Sequence, residues 1–164
     1  MIFTPENTEI FYRLLIAVFF GSLIGFERKL AHKTAGMRTF ALVCFGASLF
    51  TVISEVAFLD YVGKPGFDPS RIASQIVVGI GFLGAGLIIF KEKESKVRGL
   101  TTAAGLWVTA GIGMATGYGL YPLAIFATLL TLIVFLLLWL LEHYIVGRLP
   151  FQYHEHDKSE ESEL

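Results

Sequence analysis

The longest uncharged stretch of the chain, residues 99–141, reads GLTTAAGLWVTAGIGMATGYGLYPLAIFATLLTLIVFLLLWLL. A transmembrane helix needs about 20 residues, so these 43 residues are too many for one crossing and enough for two. The segment YGLYP at 118–122 interrupts them, because glycine and proline end helices and paired tyrosines suit a membrane interface. We therefore expect two crossings, at 100–117 and 123–141, joined by a tight turn.

Three more apolar runs precede this stretch. Residues 10–26 are interrupted only by Arg13, which lies near one end and can snorkel to the headgroups. Residues 39–54 form the second run, and residues 72–90 form a third without any charge. At 1.5 Å per residue the third spans about 28 Å, the thickness of a hydrocarbon core. The sequence predicts an all-α, polytopic membrane helical bundle of about five transmembrane helices.

Composition supports a membrane protein. Of the 164 residues, 54% are hydrophobic and 16% are charged, whereas soluble domains carry about 25% charged residues. The net charge of −1 provides no field that would attract nucleic acid or an acidic substrate. The one cysteine, Cys44, excludes an internal disulfide and lies in an apolar run, where it is expected to be a small core residue.

The distribution of lysine and arginine predicts the orientation, since these residues accumulate in cytoplasmic connections. The links after runs one and three and the C-terminal segment together hold ten, and the other side holds three. The C-terminus is therefore expected in the cytoplasm and, with five crossings, the N-terminus outside. Glu27-Arg28-Lys29 follows the first run where a signal peptide would have a small-residue cleavage site, so we expect a bacterial inner-membrane location.

The chain is expected to divide into a transmembrane domain, 1–150, and an acidic tail, 151–164. The tail carries five carboxylates and few apolar residues, which predicts a disordered cytoplasmic segment. Its stretch HEHD at 154–157 contains metal-ligand residue types, but such a terminal stretch is more simply a solvated one.

Glycine patterns suggest which helices pack closely, because small residues let helix backbones approach in lipid. The segment GIGFLG at 79–84 also matches the dinucleotide fingerprint G-x-G-x-x-G, but it lies mid-span and has no acidic residue about 20 positions on. Helix packing is the better interpretation. Run five is bulky on every side and is expected to face lipid or a partner subunit. The predicted packing glycines are Gly21, Gly25, Gly79, Gly81, Gly84, Gly86, Gly105 and Gly113.

Polar residues near the run ends are the candidates for function. Asp68 before Pro69 suits a helix cap, and Gln75 needs a partner at its depth. Glu27, Arg28 and Arg38 suit either a positioning salt bridge or an ion-gating cluster. The candidate set is Glu27, Arg28, Arg38, Thr39, Asp68, Arg71, Gln75, Arg98, Thr101, Thr102 and Trp107.

Two interpretations remain open for the start of run four. Thr101 and Thr102 can satisfy backbone groups of the first turn. Alternatively, Arg98 and the free N–H groups that follow Gly99 can bind an anion. Trp107 is expected to be a packing anchor. Asp68 and Glu27 are weak metal candidates.

Three ordered motifs resemble the MgtC/SapB family of bacterial inner-membrane proteins. They are GSLIGFER at 21–28 with AGMRT at 35–39, DPSRIASQIV at 68–77 with GIGFLGAG at 79–86, and VRGLTTAA at 97–104 with LWVTA at 106–110. Together they cover about residues 10–140. The chain is expected to differ from larger members by lacking their soluble C-terminal domain, and it has Thr101 where some members have asparagine.

The resemblance implies a role in growth at low magnesium, stress adaptation and, in pathogens, survival inside macrophages. It also implies restraint of the F-type ATP synthase as an activity of some members. We expect a regulator that contacts other membrane proteins, with a Mg²⁺ transporter or channel as the alternative. No cofactor is expected, unless Mg²⁺ itself binds. Hard cations need oxygen ligands, yet no carboxylate lies at mid-membrane, which leaves carbonyls at a break within 79–86. No grouping within the runs indicates an enzyme, and a homodimer is expected.

Overall fold

The computed structural model describes residues 5–61, 63–68, 70–91, 96–138, 140, 141 and 144. The predicted acidic tail and its HEHD stretch lie outside them. The described residues form five α-helices and one antiparallel pair of strands. In chain order these are α1 (Pro5–Leu30), α2 (Met37–Val56), α3 (Ser70–Ala85), β1 (Ile89–Lys91), β2 (Lys96–Arg98), α4 (Leu100–Gly117) and α5 (Tyr121–Ile133). A 3-10 turn, Leu59–Tyr61, follows α2.

The chain divides into two compact units after Leu132. The first unit contains α1 to α4, the strands and α5 up to that residue. The described part of the second unit includes a π-helical segment, Val134–Leu138, which directly follows α5.

Within the described residues, three segments are long and apolar enough to cross a membrane: Asn7–Leu30, Met37–Val56 and Tyr121–Leu138. Helix α3 is apolar but has only 16 residues. Helix α4 has 18 residues but is rich in glycine, alanine and threonine. The helical fold is therefore as predicted, whereas length and composition alone support three of the five expected crossings.

The end of α3 differs from the prediction of one helix through residues 72–90. The helix stops at Ala85, and Ile89 to Lys91 pair with Lys96 to Arg98 in an antiparallel hairpin. The β-branched and aromatic residues at 88–90 favour a strand. Gly99 then packs its backbone against the carbonyl of Leu87 with a φ of 94°, where a side chain would clash. This close approach joins the end of α3 to the start of α4.

Two turns have hydrogen bonds that end helices by the Schellman pattern. After α1, Lys33 N–H donates to Arg28 O at 3.0 Å, and His32 takes a φ of 53°. After α4, Leu120 N–H donates to Ala115 O at 2.8 Å, and Gly119 takes a φ of 72°. The predicted break at 118–122 is thereby confirmed.

Glycines bring α1, α2 and α4 into backbone contact. A Cβ added at Gly21 would come within 2.7 Å of Cys44 Cβ, and one at Gly25 within 2.6 Å of Met37 Cα. Gly113 lies directly against the carbonyl of Cys44, and a Cβ at Gly117 would come within 2.8 Å of Ser48 O. These contacts place the helices too close for larger residues.

The same contacts give the helix directions. Successive positions of α4 meet successive positions of α2, so these two helices run parallel. Helix α1 runs antiparallel to both, because Gly21 and Gly25 meet α2 in reverse order. Helices α3 and α4 pack together, and a Cβ added at Gly84 in the last turn of α3 would lie 3.6 Å from Ala103 Cβ near the start of α4. The end of α3 thus meets the start of α4, and the two helices run antiparallel. Successive helices from α1 to α4 therefore alternate in direction.

Five buried threonines satisfy their hydroxyls within their own helices, because few other polar partners exist in this apolar interior. Each donates to the carbonyl four residues earlier, at 2.7 or 2.8 Å. These are Thr51, Thr109, Thr116, Thr128 and Thr131. Ser48 Oγ is buried and has no hydrogen-bond partner among the described residues.

Candidate functional site

Glu27 and Arg28 form an ion pair at the end of α1. Arg28 is only 3% exposed, its Nη2 donates to Glu27 Oε1 at 2.6 Å, and its Nε also contacts the Glu27 carboxylate. The predicted salt bridge is present between Glu27 and Arg28, and ion gating by these residues stays a prediction. Arg38, which begins a different helix, takes no part in that pair.

A second charged cluster lies at the opposite end of the same helices. Arg13 Nη1 donates to Glu55 Oε2 at 2.6 Å and to Gly117 O at 2.8 Å, and Nη2 donates to Glu9 Oε1 at 2.7 Å. Only 14% of the Arg13 side chain is exposed, because partners on α1, α2 and α4 hold its guanidinium. It joins α1 to α2 and donates to the carbonyl of Gly117, the last residue of α4, where a cation is favoured.

The sequence contained a signal for this cluster that the interpretation missed. Glu9 lies one helical turn before Arg13, and Glu55 ends the next run on the same predicted side of the membrane. Opposite charges at matching depths of neighbouring spans are expected to pair.

A groove with a volume of about 680 Å³ lies between α2 and α3, and Ala110 of α4 also lines it. Three of the predicted functional residues, Arg38, Thr39 and Gln75, line it. The remaining lining residues are apolar: Leu42, Val43, Gly46, Ala47, Phe50, Ile72, Ile76, Gly79, Ile80 and Leu83. We call this opening the α2–α3 groove.

The polar residues occupy different parts of the α2–α3 groove. Arg38 and Thr39 lie where α2 begins, and the opposed directions of α2 and α3 place Leu83 at that same end. Gln75 lies eight residues before Leu83, about 12 Å away along α3. Neither the Arg38 nor the Gln75 side chain forms a hydrogen bond or ion pair within the described part of the chain.

The glycines of α3 do not pack as predicted. A Cβ added at Gly79 or Gly81 would have nothing within 4 Å, so neither mediates a helix contact within this chain. Gly84 alone packs against α4, and Gly86 lies near carbonyls of its own turn. Gly79 instead lines the α2–α3 groove, together with Gly46 of α2, which also has open space beside it.

Asp68 caps the start of α3, as the helix-start interpretation predicts. Its Oδ1 accepts hydrogen bonds from Ser70 N at 2.9 Å and from Ser70 Oγ at 2.6 Å. These bonds stabilise the carboxylate and lower the pKa of Asp68 below its ordinary value of 3.8. Asp68 and Arg71 lie at one end of α3, away from Arg28 and Arg38 at the other. The two weak metal candidates, Asp68 and Glu27, are therefore not brought together.

The remaining candidate residues lie at or near the start of α4, and they differ in burial. Thr102 is buried, whereas Thr101 and Arg98 are exposed beside the N-capping Gly99. Trp107 does not anchor packing inside the chain, because 53% of it is exposed. It lies one turn before Gly111, whose added Cβ would meet nothing within 4 Å.

We call the exposed side of α4 formed by Ala104, Trp107, Val108 and Gly111 the α4 face. The residues of α4 on the opposite side, including Leu106, Ile112 and Gly113, are buried. Helix α4 is thus closely packed on one side and open on the other.

The comparisons with known proteins agree on one family. The model of the MgtC family matches residues 14–144. The chain is 44% identical over 130 residues to the Escherichia coli (strain K12) protein named "Putative magnesium transporter YhiD", covering 78% of this chain and 60% of that one. It is 49% identical over 118 residues to "Protein MgtC" of Brucella abortus (strain 2308), covering 72% and 46%.

A third relative, "Protein MgtC" of Salmonella typhimurium, is 46% identical over 125 residues, covering 76% of this chain and 50% of its own. The chain thus spans about half the length of the curated relatives it matches. No solved structure matches it.

Proposed function

The chain belongs to the MgtC family, and from this we propose that it is a multi-pass protein of the bacterial inner membrane that serves adaptation to magnesium limitation. It acts as a regulator, by contacts between its helices and those of another membrane protein. The molecule that it recognises is then the transmembrane surface of its partner, and not a small molecule.

We propose five crossings with the N-terminus outside and the C-terminus in the cytoplasm. The alternating directions of α1 to α4 support this arrangement, because successive crossings must alternate. The excess of lysine and arginine in the links after α1 and α3 supports the orientation. Helices α3 and α4 are short or rich in small residues because they cross within contact of other helices.

The α4 face is the observation that carries the regulatory proposal. Tryptophan in membrane proteins is enriched at the two interfaces, yet Trp107 lies seven residues into α4, about 10 Å along its axis. There it projects from the chain beside the flat surface at Gly111. A large side chain beside a glycine forms a protrusion next to a flat surface, and a second helix can pack closely there. Tryptophan is also enriched among the residues that contribute most to binding at protein interfaces.

The partner is proposed to be a transmembrane helix of a different protein. The F-type ATP synthase, which the family resemblance implies, is the first partner to test. A second copy of this chain is the competing occupant, since a homodimer uses the same kind of helix contact.

Photo-crosslinking in cells limited for magnesium tests this proposal. A crosslinking amino acid replaces Trp107 in one variant and Phe126 of α5 in the control, because both positions are exposed. Position 107 is expected to crosslink to one membrane protein and position 126 to lipid only. In parallel, Trp107→Ala is expected to abolish the growth advantage at low magnesium while the protein remains in the membrane at its usual level.

Two outcomes contradict the regulatory proposal. One is a crosslink from position 107 to this chain alone, which would indicate a homodimer surface. The other is normal growth of the Trp107→Ala variant at low magnesium.

The second candidate function is Mg²⁺ transport, which the name of the Escherichia coli relative favours. Purified protein in liposomes containing a magnesium dye provides the test. Saturable flux that Asp68→Ala or Glu27→Ala abolishes would establish transport and displace the regulatory proposal. Flux no greater than in empty liposomes, from folded protein, would favour regulation.

A further inference from the structure

The α2–α3 groove has features that the regulatory proposal does not use. It opens beside two apolar helices, and a membrane-facing groove without a protein partner is filled by hydrocarbon, since an empty space would forfeit the contacts of its lining atoms. The feature that needs an explanation is therefore Arg38, a cation at one end of a groove whose lining is mostly apolar. It has no hydrogen-bond or ion-pair partner among the described residues.

The surroundings of Arg38 are suited to an anion. Thr39 also lines this end of the groove and offers a hydroxyl donor. Gly36, the N-cap of α2, provides no side-chain hydrogen bond, so the first N–H groups of this 20-residue helix lack a side-chain acceptor at the cap. Backbone N–H groups at a helix start, the helix dipole and a guanidinium together form a phosphate site.

The dimensions of the groove suit one acyl chain. From Arg38 to Phe50 the groove follows α2 for about 18 Å, whereas one leaflet of a bilayer has about 15 Å of hydrocarbon. On the opposite wall, only apolar residues lie between Leu83 and Gln75, and the amide of Gln75 marks the far end of this apolar length. An acyl chain that starts at Arg38 therefore lies against apolar side chains for about 12 Å of α3, and then passes Gln75 before it meets Ile72.

We propose that the α2–α3 groove is a binding site for an anionic phospholipid. One acyl chain lies between α2 and α3, and the phosphate lies against Arg38, Thr39 and the N-terminus of α2. Basic pockets between transmembrane helices select anionic headgroups in this way. The site is separate from the α4 face, so it holds whether or not the chain is a regulator.

Native mass spectrometry of the full chain tests the site. The protein is released from bilayers of equimolar dioleoylphosphatidylglycerol and dioleoylphosphatidylethanolamine. The wild-type chain is expected to retain one lipid, with phosphatidylglycerol favoured roughly fivefold, the effect of one basic side chain at an anionic surface. Arg38→Gln is expected to retain a lipid without preference, and Arg38→Lys to restore most of the preference.

Two further variants separate the headgroup from the acyl chain. Gly46→Leu combined with Gly79→Leu places two large side chains in the groove, since a Cβ added at either position has nothing within 4 Å. This double variant is expected to lose the retained lipid of both classes. Lys33→Gln removes an exposed cation from the link before α2, outside the groove, and is expected to leave the preference unchanged.

Several results would overturn the proposal. They are equal retention of the two lipids by the wild-type chain, a preference that survives Arg38→Gln, and lipid retention after the groove is filled. Displacement of phosphatidylglycerol by excess inorganic phosphate would indicate an anion site alone, without the acyl chain. Retention of a second copy of the chain in place of lipid would make the groove a dimer surface.

Discussion

Glycine has opposite consequences on the two sides of α2. On the side facing α1 and α4, Gly21, Gly25, Gly113 and Gly117 lie so close to neighbouring backbones that a methyl group would collide. On the side facing α3, Gly46 and Gly79 border open space. The same residue type thus closes one interface and leaves the other as a groove. The difference shows that small residues permit close packing without requiring it.

The largest expected effect comes from Gly113→Ala, which disrupts the close contact between α2 and α4. The added methyl would overlap the carbonyl of Cys44, and overpacking of this kind costs about 3 kcal/mol when backbone must move. Unfolding of the purified protein by sodium dodecyl sulfate, followed by circular dichroism, measures the loss. An unchanged midpoint would mean that α2 and α4 are farther apart than the structure shows.

The next effect concerns the charged cluster that joins α1, α2 and α4. Arg13→Gln removes the contacts to Glu55 and to Gly117 O and is expected to cost about 2 kcal/mol, since hydrogen bonds to charged groups are the stronger ones. The same detergent titration applies. Glu9→Gln is the matched control, because Glu9 is exposed and its pair with Arg13 should contribute less than about 1 kcal/mol. Equal losses in both variants would refute the role of Arg13 in joining the helices.

On α3, a glycine-to-alanine substitution is expected to raise the free energy of unfolding instead of lowering it. Gly81→Ala meets nothing within 4 Å, so alanine should stabilise α3 by about 1 kcal/mol through its higher helix propensity. The same added methyl group is then expected to increase stability at Gly81 and to decrease it at Gly113. A loss of stability at Gly81 would reveal that another helix packs on that side of α3 in the membrane.

The smallest effect is expected at the cap of α3. Hydrogen bonds from Ser70 lower the pKa of Asp68, so the carboxylate stabilises the helix start above the ordinary pKa of 3.8. That contribution is lost as the pH falls through the lowered value. The nuclear magnetic resonance shift of the Ser70 amide should report the transition. Asp68→Asn keeps an acceptor but cannot titrate, and a transition that persists in it would assign the change to another group.

Several features of the fold could be predicted from the sequence. The apolar runs gave the helical class, and the YGLYP segment gave the end of α4, because glycine and proline act locally. The cap at Asp68 was predictable for the same reason. The end of α3 was not, since residues 86–90 are as apolar as the helix before them, and the strand depends on pairing with residues 96–98.

The sequence by itself determined that this chain is a helical membrane protein of the MgtC family, and roughly where its helices break. Only the tertiary structure decided which glycines are in contact, that Trp107 points outward, and that Arg38 and Gln75 share one groove. The physical reason is that lipid tails are as apolar as a helix interior. In a soluble helix the apolar side identifies the core, but in a membrane helix hydrophobicity does not indicate which side faces the protein. That assignment follows from the contacts between helices, which only the folded arrangement provides.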